Sequence, residues 1–204
     1  MESIRWVLAA ANVPFEEVFL TTHAQYLKLI EDEALMFQQV PLVEMDGMKL
    51  VQTKAILQYI AEKYHLHGKD LKEKVIGIID LMEMMMILPF AGDPKAKLEN
   101  IEKKSIERYL PVFEKALAGG QNYLVGGKMT FADVLLLECT LMLEEKFATI
   151  LSNFPNVKAF QGKMTKIQAI SNFLKPGSQR KPLPDENYVK TVMEVFALSK
   201  MPPM

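Results

Sequence analysis

Cysteine, histidine and net charge are all scarce in this sequence, and each shortage excludes something. A single cysteine, Cys139, leaves no pair for an internal disulfide. It falls inside the apolar run Val134 to Met142, where a thiol packs as a small buried hydrophobe. The three histidines, His23, His65 and His67, stand in loop or helix-end sequence, and no His-Glu-x-x-His spacing occurs, so no metal site is expected. With 24 basic against 25 acidic residues the formal charge is -1, which offers no net field to nucleic acid or to an anionic membrane. The densest apolar runs, Trp6 to Ala11 and Met84 to Ala91, fall well short of the ~20 residues a membrane span needs. Glu2 and Arg5 suit an amphipathic helix better than a leader peptide. Neither a G-x-G-x-x-G fingerprint nor a G-x-S-x-G elbow occurs, and Gly126-Gly127-Lys128 is followed by Met129 where a phosphate loop needs Ser or Thr. These exclusions point to a soluble, cytoplasmic, reducing environment with no nucleic-acid partner.

What the chain does have is apolar patterning. Half of its 204 residues are hydrophobic, enough for a sizeable core. Ile4, Val7, Leu8 and Ala11 recur at helical spacing, and Pro14 stops that helix. Phe15 to Leu20 then reads as a strand and Ala24 to Glu33 as a helix. Leu42 to Met45 and Met48 to Val51 flank Asp46-Gly47, a strong hairpin signal. Ala55, Ile56, Tyr59, Ile60 and Tyr64 form a helical stripe. From Asp70 onward strand signals vanish, and helices are predicted over Lys72 to Leu88, Ala96 to Ala116, Phe131 to Glu145, Val157 to Lys166, Ile167 to Leu174 and Glu186 to Leu198. The change sets a domain boundary near Gly68-Lys69-Asp70, dividing 1–68 from 69–204. Three strands alone leave a crossover sheet short of a neighbour.

Chemistry concentrates in a few places. Pro41, opening a strand after a turn, is a candidate cis peptide that would leave the Val40 N–H and C=O free for an extended, peptide-like ligand. Gln52-Thr53 stands where strand gives way to helix, so Thr53 either caps that helix or helps its free N–H groups hold a carboxylate. Thr130 and Asp133 form a capping box. Asp80 interrupts a helix apolar nearly all round and needs a partner; Arg108 in an internal salt bridge and an interface site both satisfy that need. Met82, Met84, Met85 and Met86 read either as core or as an adaptable apolar pocket. The last helix carries Val189, Val192, Met193 and Phe196 on one stripe, which either docks on the helical domain or acts as a lid.

Taken together, Met1-Glu2-Ser3-Ile4-Arg5-Trp6, Leu35 to Pro41, Asp46 to Thr53, Arg108-Tyr109 with Pro111 and Phe113-Glu114-Lys115, and Phe173-Leu174 with Pro176-Gly177-Ser178 resemble the alpha-class cytosolic glutathione transferases over essentially the whole chain. The resemblance implies a thioredoxin-like domain joined to an all-helical domain, in a homodimer that conjugates glutathione to hydrophobic electrophiles in detoxification. Glutathione is then a co-substrate, and no metal is involved. By residue matching, Gln39 and Val40 hold its cysteinyl part beside a cis Pro41, and Gln52 and Thr53 grip its γ-glutamyl end. Arg108, and Asp80 of the neighbouring subunit, face it at the dimer interface. Phe37 is the aromatic key that enters the partner subunit, with Phe113 as a contact. Met86, Ile87, Phe90, Val189, Val192 and Phe196 form the hydrophobic substrate site.

Three departures from the family pattern carry expectations of their own. Relatives have a strand and turn before the segment matching Met1, including the tyrosine that hydrogen-bonds the glutathione thiolate and an arginine near it; no tyrosine of this chain matches that position. The resemblance therefore implies an incomplete first domain with weak or absent turnover, as a truncated gene model or an alternative start would leave it. Between Lys74 and Val75 the chain is shorter than its relatives by roughly two helical turns. Ile30 stands where relatives carry a basic residue against the glycine carboxylate of glutathione, leaving Lys28 as the candidate substitute. A non-catalytic carrier of apolar ligands and a glutathione-dependent isomerase are the alternative functions.

Overall fold

Helical periodicity at the start builds α1 (Glu2–Ala10), whose Ile4, Trp6, Val7 and Leu8 are all buried. The structure, a computed structural model, describes residues 1–68, 79–124 and 126–198. After α1 come α2 (His23–Glu31), β1 (Leu42–Met45), β2 (Met48–Val51) and α3 (Thr53–Lys63). Asp46 and Gly47 have φ of 55° and 75°, the two left-handed residues that a tight two-residue hairpin turn requires. The strands pair antiparallel with Leu42 opposite Val51 and Met45 opposite Met48.

The expected strand at Phe15 to Leu20 does not form. Among the described residues the sheet is two-stranded, and no strand lies beside this segment to accept its backbone hydrogen bonds. Its Val18 and Phe19 remain 90% and 52% exposed. Apolar composition is a condition for a strand, but the ladder needs a partner.

The remaining elements are helical. They are α4 (Ile79–Met86), a 3₁₀ turn at Leu88–Phe90, α5 (Pro94–Lys104), α6 (Leu110–Ala116), α7 (Phe131–Lys146), α8 (Pro155–Met164), α9 (Gln168–Phe173) and α10 (Glu186–Val195). The single helix expected over Ala96 to Ala116 is interrupted by a π turn at Ser105–Tyr109. Pro111 explains the interruption: it has no N–H for the Glu107 carbonyl, so the ladder loosens just ahead of it. The domain boundary at residues 69–70, the first turns of the Lys72 to Leu88 helix and the shortening at Lys74–Val75 lie outside the described residues.

α1 and α7 organise the core. α1 packs against α3, α7 and α9, and Trp6 meets Phe173 edge-on at 5.1 Å. Val7, Val134, Leu136 and Leu137 are fully buried, each contributing about 2 kcal/mol of apolar burial. The start of α7 joins the two halves, because the Phe131 N–H donates to the Leu66 carbonyl at 2.8 Å. Asp133 secures that junction by accepting from the Leu124 N–H at 2.7 Å and the Thr130 N–H at 2.8 Å. Cys139 is 1% exposed, and burial pushes its thiol well above the usual range, as suits a structural residue.

Glu138 is the exception in this core. Its Oε2 is buried without a hydrogen-bond partner among the described residues, and burial raises the carboxyl from 4.5 to about 8. Between those values the folded chain retains a proton that the unfolded chain releases, so this group lowers stability as pH rises. Urea denaturation should find Glu138→Gln more stable than the parent at pH 8 by about 1 kcal/mol or more, with the gap closing toward pH 5. A gap of equal size at both pH values would show that Glu138 is not titrating.

Candidate functional site

The hairpin register sets the site. Carried one and two residues past the Leu42–Val51 pair, it places Pro41 opposite Gln52 and Val40 opposite Thr53. The two segments do meet: the Gln52 Nε2 donates to the Gln39 Oε1 at 3.0 Å. The Val40–Pro41 peptide bond is cis. Among the described residues no backbone hydrogen bond uses the Val40 N–H or C=O.

Gln52 rather than Thr53 is the N-cap of α3, with φ 70° and ψ 110° and no side-chain cap bond. Thr53 is the first helical residue, so its hydroxyl is not committed to capping. The first intrahelical bond is Ile56 N–H to the Gln52 carbonyl, which leaves the N–H groups of Thr53, Lys54 and Ala55 directed out of the helix start. The Val40 backbone, next to the Gln39–Gln52 contact, thus stands near a cluster of donors at the positive end of a helix dipole.

α3 is clamped to the hairpin at its other end. The Tyr59 hydroxyl donates to Asp46 Oδ2 at 2.5 Å, and the Lys63 ammonium binds the same carboxylate. That ammonium, ahead of the tyrosine hydroxyl, holds Asp46 below the ordinary carboxylate range. Both ends of the turn-and-helix unit are therefore fixed, and Gln52 is held in its unusual backbone conformation between them.

Other predicted residues are placed less closely. Asp80 lies in α4, but its side chain, and with it the Asp80–Arg108 pair, falls outside what is described. Arg108 is exposed in the π turn with its guanidinium 5.2 Å from the Tyr109 ring centre. No hydrogen bond links it to Gln39, Val40, Gln52 or Thr53 among the described residues. Phe37 is 56% exposed beside Met36 at 77%, while Phe113 is 4% exposed in its own core. Lys28 is exposed on α2.

The apolar wall is divided. Met82 and Met85 are core at 3% and 2% exposure, whereas Met86 opens to solvent at 36%. α10 packs against both the Leu88–Phe90 turn and α2. Phe90 faces Tyr188 at 6.1 Å, and Phe196 instead meets Tyr26 edge-on at 5.0 Å. Ile87, Val189 and Val192 are half-buried. Val195, 3% exposed, is the deepest residue of α10, and Val189, Val192, Met193 and Phe196, the stripe read in the sequence, are each half-buried beside it, while Tyr188 is 42% exposed. Tyr188 and Tyr26, which meet Phe90 and Phe196, were missed because neither lies on that stripe. Burial raises the Tyr188 phenol above its ordinary value, keeping it a hydrogen-bond donor in an otherwise apolar wall.

Comparison with known proteins agrees with this arrangement. Residues 1–62 match the glutathione S-transferase N-terminal domain and residues 79–177 the C-terminal domain. The chain is 51% identical over 205 residues to glutathione S-transferase A4 of Bos taurus, covering 96% of this chain and 92% of that one. It is 52% identical to glutathione S-transferase alpha-4 of Rattus norvegicus, with the same coverage. Among solved structures, monomeric Na-GST-3, a glutathione S-transferase of the hookworm Necator americanus, superposes with TM-score 0.72 at 27% identity, over 87% of this chain and 93% of that one. The chain belongs to the glutathione transferase family, enzymes that conjugate the thiol of glutathione to electrophiles, and alpha-class members are among its relatives. Among the described residues no group of histidine, cysteine and carboxylates could hold a metal ion, and no helix is long and apolar enough to cross a membrane.

The backbone of Gln52 offers a direct test of how the site is held. A non-glycine residue at φ 70° is strained, and glycine relieves it. Gln52→Gly should leave unfolding free energy unchanged or raise it by up to about 1 kcal/mol, measured by urea denaturation. A clear loss of stability would mean that the Gln39–Gln52 contact contributes more to the fold than the backbone strain costs.

Proposed function

We propose that the groove between Val40 and the start of α3 is where this chain receives glutathione. The observation that carries the reading is the adjacency of an unpaired Val40 backbone and an uncapped helix start, joined by the Gln39–Gln52 hydrogen bond. The cysteinyl backbone of glutathione pairs with the Val40 N–H and C=O, as an added strand would, with Gln39 alongside. The γ-glutamyl carboxylate sits at the N–H groups of α3 with the Thr53 hydroxyl, where the helix dipole favours an anion. Arg108, and Asp80 from a second copy, complete the site at a subunit interface, with Phe37 as the apolar key between copies. Exposure of Met36 and Phe37 side by side supports that interface.

The electrophile lies against Met86, Ile87, Phe90, Val189, Val192 and Phe196, an apolar wall that α10 closes. Methionine and aromatic side chains there accept varied shapes, and the Tyr188 hydroxyl supplies the one polar donor identified on that wall. A free thiol near pKa 8.5 is only a few per cent ionised at neutral pH, so turnover depends on how far the site favours the thiolate. We assign no residue of this chain to that role. The division into 1–68 and 69–204, and a cytoplasmic setting, go with this reading.

Calorimetric titration of the purified chain with glutathione, run beside a conjugation assay with a generic aromatic electrophile, tests the reading. Thr53→Ala should weaken glutathione by about tenfold or more, the loss of one hydrogen bond to a charged group, without changing the melting temperature. Absence of glutathione binding would overturn the proposal, and binding without turnover would favour a ligand carrier. Sedimentation of the parent and Phe37→Ser tests the interface: a dimer that dissociates in the variant is the expected result, and a monomeric parent refutes the shared site.

A further inference from the structure

α2 is the one long helix of the first half with no fully buried residue, so its position depends on what its sides touch rather than on the core. On one side it meets α10 through two contacts. The Tyr26 ring lies edge-on to Phe196 at 5.0 Å, and one turn earlier the His23 Nδ1 donates to the Val195 carbonyl at 2.7 Å. On the other side the Tyr26 hydroxyl donates to the Gln38 carbonyl at 3.0 Å. Gln38 is itself in the left-handed region, with φ 54°, and immediately precedes Gln39 and Val40.

We propose that Tyr26 is a positioning residue that couples the seating of α10 to the backbone conformation at Gln38–Val40. One side chain thus touches both the helix over the apolar wall and the loop whose Val40 backbone faces glutathione. The inference rests on the glutathione reading above and adds a consequence to it. A ligand that favours the seated position of α10 holds Tyr26, and Tyr26 holds the carbonyl that orients the next peptides. By reciprocity glutathione at Val40 favours the seated α10 to the same degree. Neither ligand needs to touch the other.

The test is a ligand cycle with the fluorescent apolar probe 1-anilinonaphthalene-8-sulfonate. In the parent, saturating glutathione should tighten probe binding by about fivefold, the effect of one hydrogen bond made or lost. Tyr26→Phe keeps the ring against Phe196 but removes the bond to Gln38. Its probe affinity without glutathione should stay within about twofold of the parent while the coupling ratio falls toward one. Phe196→Ala should also lose the ratio, and Phe196→Leu, which keeps apolar cover, should recover part of it. If Tyr26 merely supported the fold, Tyr26→Phe would weaken both ligands and leave the ratio unchanged, which overturns the coupling.

Amide exchange over residues 36–40 without any ligand provides an independent reading. Phe196→Ala should accelerate it, although Phe196 is not joined to those amides directly; unchanged exchange overturns the coupling. Should glutathione fail to bind the parent, the functional reading falls while this exchange still decides whether Tyr26 links helix and loop.

Discussion

The fold depends on the burial of α1 between the two halves of the molecule. Trp6 and Val7 are 2% and 0% exposed, and the helix touches α3 on one side and α7 and α9 on the other. Few hydrogen bonds are described across that seam, the Phe131–Leu66 backbone bond and the Lys128 contact to the His65 carbonyl among them. Apolar packing is therefore the principal restraint on how α3 stands relative to the helical half. Because α3 begins the proposed glutathione groove and the helical half carries the proposed electrophile wall, the placing of one relative to the other is a consequence of α1 packing.

A second constraint acts locally. The Asp46-Gly47 turn goes with one register of the hairpin, and just beyond that ladder Gln39 and Gln52, thirteen residues apart in sequence, meet through their side chains. Asp46 then serves twice, as a turn residue and as the anchor for Tyr59 and Lys63. A two-residue turn thus aims both edges of the groove. This is why a sheet reduced to two strands among the described residues still presents an ordered arrangement at Gln39 and Gln52.

The same logic explains what could be read from the sequence. The hairpin, the cis Pro41, the capping box at Thr130 and the helices near 131–145 and 157–166 were legible because each is specified by local signals: a turn dipeptide, a capping residue or an apolar period. Phe15 to Leu20 was misread because a strand is a pairwise property, and apolar, aromatic composition in one segment says nothing about its neighbour. The π turn at Ser105–Tyr109 followed from Pro111 but was hidden inside a convincing helical period. On α10 the stripe Val189, Val192, Met193 and Phe196 is half-buried as read, and what the period left out is Val195, the one residue of the helix that packs fully inward. Val40, Gln52 and Thr53 were singled out by the proline that opens a strand and by the change from strand to helix, Gln39 came with the family resemblance, and the hairpin with the Gln39–Gln52 hydrogen bond brings the two segments together.

Tyr26 shows the limit of such reading in its sharpest form. α2 has the weakest core signal of the major helices, yet it stands between the loop at Gln38 and the helix at Val195–Phe196. A helix held by surface contacts can shift at lower cost than one held by the core, and coupling between two ligands requires an element that can shift. α1, buried on several sides, cannot serve that purpose without disturbing the fold. On the coupling proposed above, the rigid and the adjustable parts of the molecule are separated: α1, α3 and α7 hold the frame of the proposed groove, while α2 and α10 are the parts that adjust. Sequence patterns report the first group because burial leaves a period. The second group leaves little pattern, because its contacts are few, polar at one end and made between residues far apart in the chain.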